Sequence, residues 1–299
     1  MVMVPIERCP TGIPGFDKIT QGGFVRNSDN ILTGGPGFGK TTFLLQFLWN
    51  GATKFNENGL YCSFEPDIVE TLKDAMSYGW DFTKLNEQDR VKFLKFSPRT
   101  SIEDLKNELT RLISRYSIQR VCLDPVSVLA LNINDEGKIR EMVFELSSLM
   151  KRLNVTSILA DESLESQNLT GSDVTNLNKT DIMKFLADSV TNLYESGLSG
   201  VGDRALRISK MRRTNHARTL IGMRITSKGI EIFPPEEKMQ AMAMPSQMPQ
   251  QQSQKPQQPA SKPVQQASMP QTQTTQLRAI SPSVPAQQQT QTSPQQLQR

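Results

Sequence analysis

The 299 residues, 36% of them hydrophobic, suffice for one large domain or two small ones with a real core, and no run of about 18 apolar residues offers a membrane span. The net charge of +4 belongs to the C-terminal tail, where Lys255, Lys262, Arg278 and Arg299 meet no Asp or Glu. Residues 1 to 239 are therefore neutral in total, which lacks the basic footprint of a nucleic-acid-binding domain.

The N-terminus, Met-Val-Met-Val-Pro5, has neither the basic nor the long apolar region of a signal peptide, so a cytoplasmic location is expected. Residues 29 to 33 read as a strand entering a Gly-rich turn. Lys40 to Asn50 follows as a helix with Phe43, Leu44, Phe47 and Leu48 on one face. Gly59 to Phe64 is a strand, and Pro66 to Tyr78 a helix with Pro66 at its first position and Gly79 at its end. Val91 to Phe96 then reads as a strand and Ile102 to Ser117 as a helix. Arg120 to Leu123 is a strand ending at Asp124, Ile139 to Leu153 a helix, and Val155 to Ala160 a strand. This alternation predicts a parallel sheet covered by helices on both faces.

Ser163 to Thr180 has no period and reads as a mobile loop. Beyond it, Ser189 to Tyr194, Arg204 to Met211, Leu220 to Thr226 and Ile230 to Phe233 suit antiparallel strands at one edge of the sheet. The expected division is a domain over 1–238 and a disordered Gln/Pro-rich tail over 239–299. The tail has too little apolar surface to offset its ordering entropy. It reads as a solubilising extension or as a weak tether for partners or membranes. Cys9, Cys62 and Cys122 form no C-x-x-C pair and read as core thiols rather than zinc ligands.

Gly34-Gly35-Pro36-Gly37-Phe38-Gly39-Lys40-Thr41, with Thr42 behind it, satisfies G-x-x-x-x-G-K-[ST] between a strand and a helix. The glycines let backbone N–H groups close around phosphate oxygens, and the helix N-terminus adds its positive end. Lys40, read as a surface-facing cation outside the core, serves the β- and γ-phosphates of ATP, and the Thr41 hydroxyl ligates Mg²⁺. Asp124 stands at the C-terminal edge of its strand, where open α/β sheets bind ligands. It is the natural acid to hold Mg²⁺ through water. Glu65 occupies a comparable edge, either orienting the water that attacks the γ-phosphate or starting a helix as a dipole-stabilised acid.

Beyond the P-loop, Thr11-Gly12-Ile13-Pro14-Gly15-Phe16-Asp17 with Gly22-Gly23, Gly59 to Glu65, Gly79-Trp80-Asp81 and Ser209-Lys210-Met211-Arg212 with Thr214 and His216 recur in order. Over residues 8 to 234 the chain resembles the KaiC-like branch of the RecA ATPase superfamily. The resemblance implies a RecA-like α/β P-loop NTPase fold and a homo-oligomer, often a hexameric ring, with ATP at subunit interfaces. It also implies a catalytic carboxylate at Glu65 and cations from Lys210 and Arg212 reaching the neighbouring subunit's phosphates. Three positions depart from the family pattern: Pro66 replaces the second acid of a Glu-Glu pair, residues 25 to 28 replace a Pro and a Gly, and Arg213 replaces a Gly. Lys184 and Phe185 stand where the family's two-domain clock members carry a Ser-Thr phosphoacceptor pair, so clock-type autophosphorylation is not expected.

Three functions follow for testing. The first is an oligomeric ATPase whose nucleotide state regulates an unidentified protein partner. The second is an ATP sensor with little turnover, kept open by Pro66. The third is a recombinase-like protein on single-stranded DNA, which needs a basic channel that the neutral total argues against.

Overall fold

The computed structural model describes residues 5–130, 133, 135–162, 181–195 and 204–234. The expected loop at 163–180 and the tail at 239–299 lie outside the described residues. In chain order the elements are β1 (Arg8–Cys9), α1 (Phe16–Ile19), β2 (Phe24–Val25), β3 (Asp29–Thr33), α2 (Lys40–Lys54), β4 (Asn58–Ser63), α3 (Ile68–Ser77), α4 (Phe82–Glu87) and β5 (Val91–Lys95). They continue with α5 (Ile102–Tyr116), β6 (Ile118–Asp124), a 3-10 turn (Val126–Ala130), α6 (Glu136–Arg152), β7 (Thr156–Asp161), α7 (Asp181–Leu186), β8 (Ser189–Glu195), β9 (Arg204–Met211), β10 (Ile221–Thr226) and β11 (Gly229–Phe233).

Among the described residues, nine strands form one sheet in the order β11-β10-β9-β8-β3-β7-β6-β4-β5. From β8 through β5 the neighbours are parallel, and β9, β10 and β11 join by antiparallel pairing. Side chains alternate across the sheet, as the strand period requires. Leu32, Tyr61, Cys122 and Ile158 face α2, whereas Ile31, Leu60, Val121 and Leu159 face α5 and α6. The central strands read as continuous apolar runs because both their faces are covered.

Ser189–Glu195 corrects the expectation of four antiparallel edge strands. It is interior, parallel to β3 on one side and antiparallel to β9 on the other, and its first five residues are buried. Pro66 also does not begin a helix: Asp67 is the N-cap of α3, accepting from the N–H groups of Val69 and Glu70, so Pro66 stands one residue before the cap. The same device lengthens α6, where Asp135 accepts from Gly137 and Lys138 and starts the helix three residues before the apolar pattern does.

A buried charge cluster ties the N-terminal segment to the core. Arg120 on β6 is 0% exposed; its Nε lies 2.6 Å from Glu57, and its other nitrogens donate to the carbonyls of Phe47 and Pro10. Its guanidinium rests on the ring of Phe47. Gly51 makes the room: a Cβ there would stand 2.5 Å from Arg120 Cδ, which outweighs the roughly 1 kcal/mol that glycine costs inside a helix. Arg26 also meets Glu57 at 2.7 Å, so losing Arg120 leaves the acid half-paired. Arg120→Met is expected to destabilise the domain by about 3 kcal/mol, near the low end for breaking a buried pair. Urea unfolding with an unchanged m-value reads this directly.

Candidate functional site

The loop between β3 and α2 sits at the C-terminal edge of the parallel strands. Gly39, the N-cap of α2, has φ 98, and a Cβ there would come within 2.9 Å of Ile225 on β10. Glycine is therefore required by the backbone, whereas the contact on Ile225 is with the end of a side chain that can shift. Phe38 folds its ring back over Gly34 and Gly35 while its N–H donates to the Gly35 carbonyl. The helix opens with Phe43 N–H on the Gly39 carbonyl, leaving the earlier N–H groups of the first turn without intrahelical acceptors.

Lys40 is not the surface-facing cation expected from sequence. It is 7% exposed, and its Nζ donates to the Gly34 and Gly35 carbonyls at 2.8 and 3.0 Å, with Glu162 Oε1 3.9 Å away. The loop wraps its own cation. Thr41 Oγ1 donates to Asp124 Oδ2 at 2.7 Å, and Tyr61 from β4 donates to the same oxygen at 2.7 Å. Burial holds the Asp124 carboxyl above its ordinary range, opposed by these two hydrogen bonds and by the Lys40 charge. Thr41 and Asp124 together offer adjacent hard oxygen donors, the chemistry that suits Mg²⁺ with a triphosphate.

Around the loop an open cleft is lined by Pro36, Gly37, Gly39, Lys40, Thr41 and Thr42 from the motif, and by Glu65, Asp124 and Pro66 from the strand ends. The structure thus brings together most of the sequence-derived candidates, Glu65 as an exposed carboxylate on the cleft wall. Sequence reasoning missed Glu162, Arg204 and Ile225 in the same lining. Arg204 begins β9, and its guanidinium donates to the Gly37 carbonyl at 3.2 Å. Glu162 follows the end of β7 at the same sheet edge as Asp124, a positional signal that could have found it.

Lys210 and Arg212 lie elsewhere. Because β9 runs antiparallel to β8, Lys210 pairs with Val190 and Arg212 N–H donates to the Asp188 carbonyl, level with Asp29 at the start of β3. Arg212 stands about five residues below Gly34, roughly 16 Å along the strand direction. Its side chain is 52% exposed, with one nitrogen 3.5 Å from Asp188 Oδ1. Asp188 is held in turn by Lys151 at 3.1 Å and by the Asp29 N–H. Lys210 Nζ donates to the Lys184 and Phe185 carbonyls at the end of α7; burial, then the Arg212 charge, pulls its ammonium below the ordinary range. His216 is tied locally, its Nδ1 3.0 Å from the Ala217 carbonyl. Arg213, at the position of the family's Gly, takes φ 58, the left-handed region that explains the family's glycine.

A mainly parallel sheet with this loop at its carboxyl edge and an acid beside it defines a RecA-type P-loop domain that binds ATP. A family model described as ATPase: KaiC matches residues 9–237, so the chain belongs to the KaiC ATPase family. The circadian clock oscillator protein KaiC of Parasynechococcus marenigrum is 29% identical over 238 residues, covering 77% of this chain and 45% of that protein. The protein of the same name from Synechococcus elongatus is 30% identical over 238 residues, covering 77% of this chain and 44% of that one. The chain thus spans less than half the length of these relatives. A solved KaiC-like protein from Pyrococcus horikoshii OT3 matches at TM-score 0.67 and 30% identity, over 77% of this chain and 100% of that one. Among the described residues no helix is long and apolar enough to cross a membrane.

Proposed function

We propose that this chain hydrolyses ATP with Mg²⁺ in a homo-oligomer, each site completed by Lys210 and Arg212 of a neighbouring copy, and that the nucleotide state governs a protein partner. The observation that carries this reading is the split of the machinery across the sheet. The loop, Glu65 and Asp124 share the carboxyl edge, while Arg212 stands at the opposite edge and Lys210, level with Ile31, turns its ammonium to the carbonyls of Lys184 and Phe185 at the end of α7, so neither serves the loop of its own chain. A ring-forming head-to-tail contact brings one edge to the other.

Bound Mg²⁺ would neutralise charge on the β- and γ-phosphate oxygens. The chain's own residues do the rest. Backbone N–H groups of Gly35 and of residues 37 to 42 cradle the phosphates, and Lys40 exchanges the two carbonyls it now holds for phosphate oxygens. Thr41 and Asp124 would hold the metal, and Arg204 flanks the loop from β9. Glu65, exposed on the cleft wall, orients the attacking water and accepts its proton.

Glu65→Gln is expected to leave ATP affinity within about twofold and to lower turnover by roughly 10²-fold or more, the usual weight of a general base. Phosphate release beside binding of a fluorescent ATP analogue separates the two quantities. Unchanged turnover would reduce Glu65 to an acid near a helix start. No turnover in either protein would favour the sensor reading, which the placement of Pro66 on the cleft wall in place of a second acid supports.

A further inference from the structure

Tyr61 is 0% exposed in the layer between the sheet and α2, its ring 5.5 Å from that of Phe93. Packing alone would be served as well by phenylalanine, which brings no hydroxyl to satisfy in an apolar layer. The hydroxyl is instead committed to one acceptor, Asp124 Oδ2, at 2.7 Å, with Thr71 of α3 beside it. Register makes this contact specific. Tyr61 lies opposite Cys122 on β6 and Ser63 opposite Asp124, so Tyr61 and Asp124 point to the same face of adjacent strands, two residues apart.

Asp124 Oδ2 has a second donor, the Thr41 hydroxyl. In the reading given above, on which this inference rests, Thr41 presents a lone pair of its hydroxyl oxygen to the metal, so its placement against the carboxylate changes with the metal. Tyr61 comes from an interior strand, paired on both sides, with a fully buried ring and has nowhere to go. It is the donor that stays. A hydrogen bond to a charged acceptor contributes about 1.5–3 kcal/mol, enough to fix one rotamer of a short side chain.

We propose that Tyr61 is a positioning residue for Asp124: it holds the carboxylate by Oδ2, aims it at the Thr41 hydroxyl, and thereby sets the affinity of the loop for the divalent ion that accompanies ATP. The role acts on the metal and not on the triphosphate, because Tyr61 is fully buried, is absent from the cleft lining and meets the site through Asp124.

The test uses the full chain and a fluorescent non-hydrolysable ATP analogue, titrated in EDTA and then against rising Mg²⁺. Tyr61→Phe keeps the ring and removes the donor. It is expected to leave the EDTA affinity within about twofold while raising the Mg²⁺ midpoint roughly tenfold, the equivalent of about 1.4 kcal/mol. Mn²⁺ binding to the same complex, followed by electron paramagnetic resonance, should weaken by a similar factor without any turnover being measured. Asp124→Asn runs alongside. If it shifts the Mg²⁺ midpoint and Tyr61→Phe does not, the positioning role is overturned while the metal site stands. If neither shifts it, the assignment of Asp124 falls and takes the proposal with it. An equal loss of affinity in EDTA and in Mg²⁺ would show Tyr61 to be a packing residue only, which also overturns it.

Discussion

Replacing Lys40 by alanine is expected to weaken ATP binding at least about 100-fold, to below detection in an ordinary fluorescence titration, while the domain stays folded. The affinity term rests on charge. An ammonium donating to phosphate oxygens makes charge-assisted hydrogen bonds of about 1.5–3 kcal/mol each, and one or two of them supply a factor of this size. The folding term is subtler than exposure would have implied, since Lys40 is buried and bonds the Gly34 and Gly35 carbonyls. Removing it leaves the Gly34 carbonyl to water at the mouth of an open cleft and the Gly35 carbonyl with the Phe38 N–H, which costs about 1 kcal/mol and shifts the melting temperature by a few degrees. A melting curve beside the titration therefore keeps lost affinity apart from lost fold. Wild-type affinity in this variant would refute the P-loop assignment outright.

Much of this site was legible because its signals are local. The P-loop needs a strand, a fixed run of glycines and a helix start, and all three fall within fifteen residues of sequence from Asp29 to Phe43. Asp124 was legible for the same reason, as the last residue of an apolar run on a buried strand. Helix boundaries were less so. Pro66 looked like a first helical position, yet the carboxylate one residue later captures two orphan N–H groups and takes the cap itself. The apolar period showed α6 only from Ile139, whereas Asp135 starts the helix at Glu136.

What sequence could not give were the residues that reach the site by register between distant strands. Tyr61 belonged to an apolar run and looked like any core aromatic; only the pairing of β4 with β6 puts its hydroxyl on Asp124. Arg204 lies 167 residues from the Gly37 carbonyl it contacts, and an antiparallel β9 is what turns it to the loop. Misreading β8 as an edge strand hid this, because an interior β8 is what sets β9 one strand away from β3. Two-residue strands such as β1 and β2 carry no period at all. Lys40 failed in another way: a lysine is rarely buried, and nothing in its neighbours announced that the loop would fold its carbonyls around it.

Arg212→Ala is expected to slow ATP hydrolysis by about 10³-fold or more, with ATP affinity changed far less, as for an arginine supplied in trans to a transferring phosphoryl group. The geometry makes the trans requirement strict, since Arg212 stands level with Asp29, at the opposite end of β3 from the loop. Its backbone N–H donates to the Asp188 carbonyl and its guanidinium lies 3.5 Å from the Asp188 carboxylate, while about half of its side chain reaches solvent, so a neighbour's phosphate would have to draw the guanidinium from Asp188. Mixing sharpens the prediction. A Glu65→Gln subunit still offers Arg212 to its neighbour, and an Arg212→Ala subunit still owns Glu65. In a random equal mixture about one head-to-tail interface in four pairs an intact Glu65 with an intact Arg212. Such mixtures should hydrolyse ATP at roughly a quarter of the wild-type rate, although each pure variant alone is expected to be slower by about 10²-fold or more. The measurement is phosphate release after subunit exchange, with exchange itself followed by energy transfer between labelled copies. If exchange is complete and no activity returns, the cation is not delivered across the interface, and Arg212 reduces to an exposed ion pair worth well under about 1 kcal/mol.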